Sequence, residues 1–318
     1  MTTFDECFQT FPQINAPDDL DQFWKESQKE LKSVAIREEL HAPLKGRHVK
    51  DTVYNVSFQS ALNYKIKGTL VIPRKRGDLP VLVYFHDYYA SRPKYIDGLT
   101  DLGIAHLIID LRGHGSELVK PVFPPEKKKE EEAWTPGYFL EGIEDKDSFY
   151  LKYLYLDVIR CIDFLRLTKG IDSEKIYLHG KNLGASMALF GAAYSNRVKA
   201  LILETPNFCY VTEEQLKSAS AWSREIASYS RDLTPARKTK LKKNIAYFDS
   251  LNFVKKINMP VMVSCGLKDK ISNPKSVFSV INHLKGDKQI HVYPENGNEA
   301  GSKDMHAKII AFLGEITG

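Results

Sequence analysis

From residue 81 onward the chain repeats one pattern: a short unbroken apolar run, a turn, then apolar residues at three- and four-residue spacing. The runs at 81–85, 105–109, 176–178, 200–203, 261–263 and 290–293 fit parallel strands covered on both faces, and the spacing between them fits the covering helices. Leu151, Leu154, Tyr155, Val158, Cys161, Ile162 and Leu165 predict one long amphipathic helix laid on a sheet face. Alternating strand and helix implies right-handed crossovers within one sheet. The start of the chain differs. Val53, Asn55, Ser57 and Phe58, then Ile66, Gly68, Leu70 and Ile72 after a turn near Asn63, alternate as antiparallel strands at a sheet edge do. The predicted class is α/β: a mostly parallel central sheet with helices on both faces and antiparallel edge strands at the start.

One domain over residues 1–318 is expected, because a chain of 318 residues with 43% hydrophobic content can bury a single large core. Three segments stand apart from the repeat. Residues 1–45 form a polar helical arm, in which Asp18, Asp19 and Asp21 precede Phe23 and Trp24 and supply cap and first-turn charge. Residues 117–142 carry Pro121, Pro124, Pro125 and a charge run over 126–132, too long and irregular for an ordinary connection. Residues 211–245 are polar, helical in pattern and placed where a cap over a site is inserted.

Charge and cysteines narrow the partners. The formal net charge of +5 is dispersed, and the densest basic stretch, with Arg237, Lys238, Lys240, Lys242 and Lys243, has no interleaved aromatic, so a solvated face is expected and nucleic acid is not. Cys7, Cys161, Cys209 and Cys265 match no metal or redox spacing and are expected as buried fillers in a reducing compartment. No charged leader with an apolar stretch opens the chain and no run of roughly 18 apolar residues occurs, so a soluble, cytoplasmic protein is expected, with no membrane contact, no metal and no cofactor.

The chemistry concentrates at strand ends. The strand ending at His179 runs into Gly180-Lys181-Asn182-Leu183-Gly184-Ala185 and then a helix of small residues, the layout of a nucleophile elbow. Its two glycines let the backbone fold sharply and lift the central side chain above the sheet. That residue is Asn182, where the chemistry needs serine. The second parallel strand exits through Asp110-Leu111-Arg112-Gly113-His114-Gly115-Ser116. Arg112 is expected to pair locally and brace the elbow, and His114 to be solvent-facing or locally bonded. After the strand at 261–263, Asp269 holds the position of a triad acid, and after the last strand Asn298 stands where a histidine base would take the proton.

With these residues in place, the chain resembles carbohydrate esterase family seven, the acetyl xylan esterase and cephalosporin C deacetylase group of the α/β-hydrolase fold. The likeness spans nearly the whole chain, including Asp19-Leu20-Asp21-Gln22-Phe23-Trp24, Leu156-Asp157, Tyr247-Phe248-Asp249 and Cys265-Gly266-Leu267. Three signature motifs are present in altered form. The family's Arg-Gly-Gln reads Arg112-Gly113-His114, its Gly-x-Ser-Gln-Gly reads Gly180-Lys181-Asn182-Leu183-Gly184, and its His-Glu reads Asn298-Glu299. The resemblance also implies an oxyanion hole made with Tyr88 and the backbone N–H of Leu183, and a homo-oligomer, a hexamer in that family, assembled through an excursion like 117–142.

A carboxamide is neither a nucleophile nor a base at neutral pH, so ordinary ester hydrolysis is expected to be lost. The expected role is a non-hydrolytic homologue that binds an acetylated sugar or similar small polar ligand. A deacetylase using unorthodox residues and a purely structural subunit are the alternatives. Ser186, one helical turn beyond Asn182, is expected to pack rather than to attack, and His114, His179 and His306 to be structural. Changing Asn182 to serine together with Asn298 to histidine is expected to restore more activity than either change alone, since nucleophile and base act as a unit.

Overall fold

A computed structural model describes residues 3–41, 51–75, 77–114 and 138–318. Their strands are β1 (Glu39–Leu40), β2 (Asp51–Gln59), β3 (Lys65–Pro73), β4 (Leu79–Phe85), β5 (Ala105–Ile109), β6 (Ile171–Lys181), β7 (Val198–Glu204), β8 (Val261–Gly266) and β9 (Lys288–Tyr293). They form one sheet in the order β1-β2-β3-β5-β4-β6-β7-β8-β9. Pairing is antiparallel from β1 through to the β3–β5 junction and parallel from β5 to β9. The helices are α1 (Phe4–Phe8), α2 (Leu20–Lys32), α3 (Tyr150–Leu167), α4 (Leu183–Tyr194), α5 (Ala221–Ser230), α6 (Pro235–Ala246), α7 (Pro274–His283) and α8 (Ser302–Thr317).

The unbroken apolar runs divide their residues between two cores, because successive side chains leave opposite faces of a strand. Leu82, Ile108, Tyr177, Ile202 and Met262 pack with Met305, Ile309, Phe312 and Leu313 of α8. Their neighbours Val83, Leu107, Leu178, Leu201 and Val263 share the other core with residues of α2, α3, α4 and α7. Burying each such side chain contributes about 1.5–3 kcal/mol. At the rim β9 is mostly exposed or half-buried, as befits an edge strand.

Helix α3 departs from simple amphipathicity. It is buried nearly all round, Lys152, Asp157 and Arg160 included, because α2 and α4 cover what the sheet does not. Arg160 donates to the carbonyls of Leu31 and Val34 at the end of α2, satisfying groups a helix leaves open there. Trp24 of α2 is fully buried against Tyr155, Phe190 and Phe248, and its Nε1 donates to the Tyr247 carbonyl at 3.1 Å. Asp19 does precede α2 but makes no side-chain cap bond; its carboxylate instead accepts from the Tyr247 hydroxyl at 2.5 Å.

Most of the 117–142 excursion lies outside the described residues. Its end, Tyr138–Leu140, is a 3-10 turn whose Phe139 is buried beside Trp222 of α5. The 211–245 segment holds α5 and most of α6, capped by Ser220 and Thr234 accepting from Ser223 and Arg237 N–H groups. The basic residues of α6 between Arg237 and Lys243 face solvent. The four cysteines are buried and unlinked, and among the described residues no helix is long and apolar enough to cross a membrane.

Candidate functional site

Strand β6 and helix α4 meet at Asn182, whose backbone sits at φ 52°, ψ −114°. A non-glycine residue there carries strain on the order of 1–3 kcal/mol. Two close approaches fix the turn. A Cβ on Gly180 would lie 2.1 Å from the Gly184 carbonyl oxygen, and one on Gly184 would lie 2.1 Å from that of Phe85. The sharp strand-to-helix turn expected of an elbow is therefore present, with Asn182 at its apex and almost fully buried.

The apex carboxamide meets Asn298. Asn182 Nδ2 donates to Asn298 Oδ1 at 3.0 Å, and Asn298 Nδ2 donates to Asn182 Oδ1 at 2.8 Å. The second hydrogen of each amide goes to a carboxylate: Asn298 Nδ2 reaches Asp269 Oδ2 at 2.9 Å and Asn182 Nδ2 reaches Asp87 Oδ2 at 2.8 Å. Asn182 Oδ1 is also 2.6 Å from the Thr205 hydroxyl and 3.0 Å from that of Ser272. Donors on the oxygen and carboxylate on the nitrogen fix which way the Asn182 amide points. Asp269 also accepts from the backbone N–H groups of Ile271 and Ser272 at 2.7 and 3.0 Å. Burial pushes its carboxyl above the ordinary range, opposed by the Ser272, Asn298 and Ile271 bonds.

Beside this chain of amides lie Tyr88 and the Leu183 N–H, which the resemblance implies for an oxyanion hole. The Tyr88 N–H and the Leu183 N–H converge on Asp87 Oδ1, at 2.8 and 3.2 Å. The Tyr88 phenol points elsewhere, donating to Glu225 at 3.1 Å and accepting from the Phe139 N–H at 3.0 Å. Burial pushes Asp87 up to about 6, against the lowering by its bonds from Asn182, Leu183 and Tyr88.

Arg112 is buried and bidentate to Asp157 of α3, at 2.7 and 3.1 Å, with Ala61's carbonyl 3.3 Å away and Tyr64 stacked beneath it. Its bracing runs from the β5 exit to α3 and the β2–β3 turn rather than to the elbow. Gly113 donates to the Tyr64 hydroxyl at 2.9 Å. His114 is buried, with Nε2 accepting from the Tyr89 N–H and Nδ1 donating to the Arg112 carbonyl. Both nitrogens are occupied, and burial holds its pKa below the ordinary value. Neighbouring His86 is bound the same way, between Asp87's carbonyl and the Leu111 N–H, and burial pushes it down to about 4. His179 pairs with Glu204 at 2.6 Å, and His306 is exposed on α8. Ser186 is wholly buried and accepts from the Phe208 N–H at 3.1 Å. Glu299 is exposed and folds back to the Gly297 N–H.

The structure brings Asn182, Asp269, Asn298, Leu183 and the backbone of Tyr88 together; Arg112, Gly113 and Glu299 make their bonds outside this cluster. Sequence reasoning missed Asp87, Thr205 and Ser272. An acidic residue directly before a backbone donor was the legible sign of Asp87. Thr205 and Ser272 carried no sign, since hydroxyls at strand ends are common.

A parallel sheet with an antiparallel start, an elbow between β6 and α4, and polar residues converging from the ends of β8 and β9 define the α/β-hydrolase fold of the esterases. The acetyl xylan esterase family model matches residues 3–316, and the chain belongs to that family. It is similar to an acetyl xylan esterase from Paenibacillus sp. R4, with a TM-score of 0.87 and 25% identity over 99% of each chain. Acetyl xylan esterase 1 from Thermoanaerobacterium sp. JW/SL YS485 superposes with a TM-score of 0.84 and 23% identity, covering 98% of this chain and 99% of that one. The acetyl esterase Axe7A of Xylanibacter ruminicola is 22% identical over 302 residues, which is 94% of this chain and 67% of that protein.

Proposed function

We propose that this chain is a non-hydrolytic member of the esterase family, acting by binding rather than by turnover. The observation that carries this reading is the reciprocal Asn182–Asn298 amide pair in the positions of nucleophile and base. An amide nitrogen's lone pair is delocalised into its carbonyl, so it neither attacks an ester nor takes up a proton. The hydroxyls of Thr205 and Ser272 lie within reach, but their bonds run to Asn182 and to the Thr205 carbonyl, and among the described residues neither is hydrogen-bonded to a histidine. The kinship to acetyl esterases supports a small polar ligand such as an acetylated sugar, held by contacts other than the acyl-oxygen donors.

The named relatives favour a second reading, a deacetylase with unorthodox residues. One assay separates the two. The purified protein, incubated with a chromogenic acetate ester and a serine-directed phosphonate, is expected to turn over no faster than an Asn182→Ala variant and to take up no label. Saturable acetate release with stoichiometric labelling would overturn the non-hydrolytic reading. An upward shift of Tm by an acetylated xylo-oligosaccharide would favour ligand binding over a purely structural subunit.

A further inference from the structure

We infer that Asp87 is a built-in occupant of the oxyanion hole: its carboxylate fills the place of an acyl carbonyl oxygen and closes the site to ester substrates independently of Asn182 and Asn298. An oxyanion hole works by aiming preorganised donors at one point where negative charge develops. Here the Tyr88 and Leu183 N–H groups aim at one point, and a carboxylate oxygen of this same chain lies there, at 2.8 and 3.2 Å. The other oxygen of that carboxylate takes the Asn182 Nδ2 hydrogen at 2.8 Å, so the group is held from both ends. The Asp87 main chain is fixed as well, because its carbonyl accepts from His86 Nδ1 at 2.7 Å. The occupant is thus a bound carboxylate with three donors, not a side chain sweeping an open cleft.

Two consequences follow for the site. A carbonyl approaching the elbow finds its donors taken and a carboxylate in its path, so charge developing on its oxygen would be repelled instead of stabilised. The residual catalysis of roughly 10³ to 10⁴ over water that oxyanion donors leave after loss of a triad is also absent. The inference extends the proposed function, since it names a third lesion and excludes anchoring of a ligand by its acyl oxygen. It is separable from that reading because its test is carboxylate binding, whereas the non-hydrolytic reading is tested by turnover.

Removing the carboxylate should leave a receptor for a small carboxylate in its place. Asp87→Gly and Asp87→Ala proteins are to be titrated with sodium formate and sodium acetate, followed by Tm, with sodium chloride at equal ionic strength as control. Expected is a saturable rise of a few degrees in both variants with formate, absent in the unaltered protein and in shape-conserving Asp87→Asn, whose carboxamide still fills the hole. If neither truncated variant folds unaided, refolding in formate should recover it while chloride does not. A response equal in all proteins, or none in the truncated variants by either route, would overturn the inference.

Discussion

The carboxamides of Asn182 and Asn298 lie head to tail, each donating to the other's oxygen, at 3.0 and 2.8 Å. With Asp87 and Asp269 taking the remaining two hydrogens, no amide donor in the pair is left over. Serine and histidine in the same places would pass a proton along this line. Two amides instead close it into a static hydrogen-bonded chain.

That closure makes the pair energetically coupled. Asn182→Ala and Asn298→Ala each leave polar groups unpaired in a largely buried site, costing about 1–3 kcal/mol. The double variant is expected to lose less than the sum, with a coupling of about 0.5–3 kcal/mol in urea unfolding. Strict additivity would mean that the two amides do not bond in solution.

Occupancy of the oxyanion hole by Asp87 revises the gain expected from the sequence for restoring nucleophile and base together. Asn182→Ser with Asn298→His is expected to stay near the unaltered protein in ester hydrolysis, because the hole remains filled by Asp87. Adding Asp87→Gly should raise kcat/KM by at least about 10²-fold, the scale of an oxyanion contribution. Initial rates on an acetate ester distinguish the two proteins, and full activity in the double variant would count against Asp87 as an obstruction.

Stability should carry the mark of Asp87 in its pH dependence. Its carboxyl titrates at about 6 when folded against an ordinary 3.8. Between those values the folded chain holds a proton that the unfolded chain has lost. A contribution on the order of 3 kcal/mol, full below pH 3.8, is therefore lost as pH rises through 6. His86, pushed down to about 4 from 6.5, runs the other way, as does His114, since each must stay neutral in the fold. Asp87→Asn should therefore turn the stability profile upward with pH relative to the unaltered protein across this window, measured by urea unfolding at several pH values; parallel profiles would contradict it.

Arg112 and Asp157 form a buried pair at 2.7 Å. Arg112→Ala should cost about 3–5 kcal/mol by stranding the Asp157 charge, whereas Arg112→Met with Asp157→Leu should cost far less. Denaturant midpoints for the three proteins test this, and equal losses would argue that packing, not charge, dominates there.

Legibility in the sequence followed the strength of the physical constraint. Continuous apolar runs marked β4 through β8 because both faces of each are buried, and the glycines at 180 and 184 marked the elbow because no Cβ fits there. Asn182, Asp269 and Asn298 could be placed because each follows a strand end. What escaped was direction. Whether Asp87 turns outward or back onto its own neighbour's N–H depends on main-chain geometry after β4, which residue type alone does not encode. The near-complete burial of α3 escaped too, because Lys152, Asp157 and Arg160 read as a polar face until their partners on other elements are known.

Asp87, Asn182, Thr205, Asp269 and Asn298 project from the ends of five adjacent strands, β4, β6, β7, β8 and β9, and the bonds among them lace these ends into one rim. Loosening any one loop breaks contacts on the next, so their amide hydrogens should exchange as a single cooperative unit. On the proposed non-hydrolytic reading, the edge of the sheet that would admit a substrate serves instead as the fold's clasp.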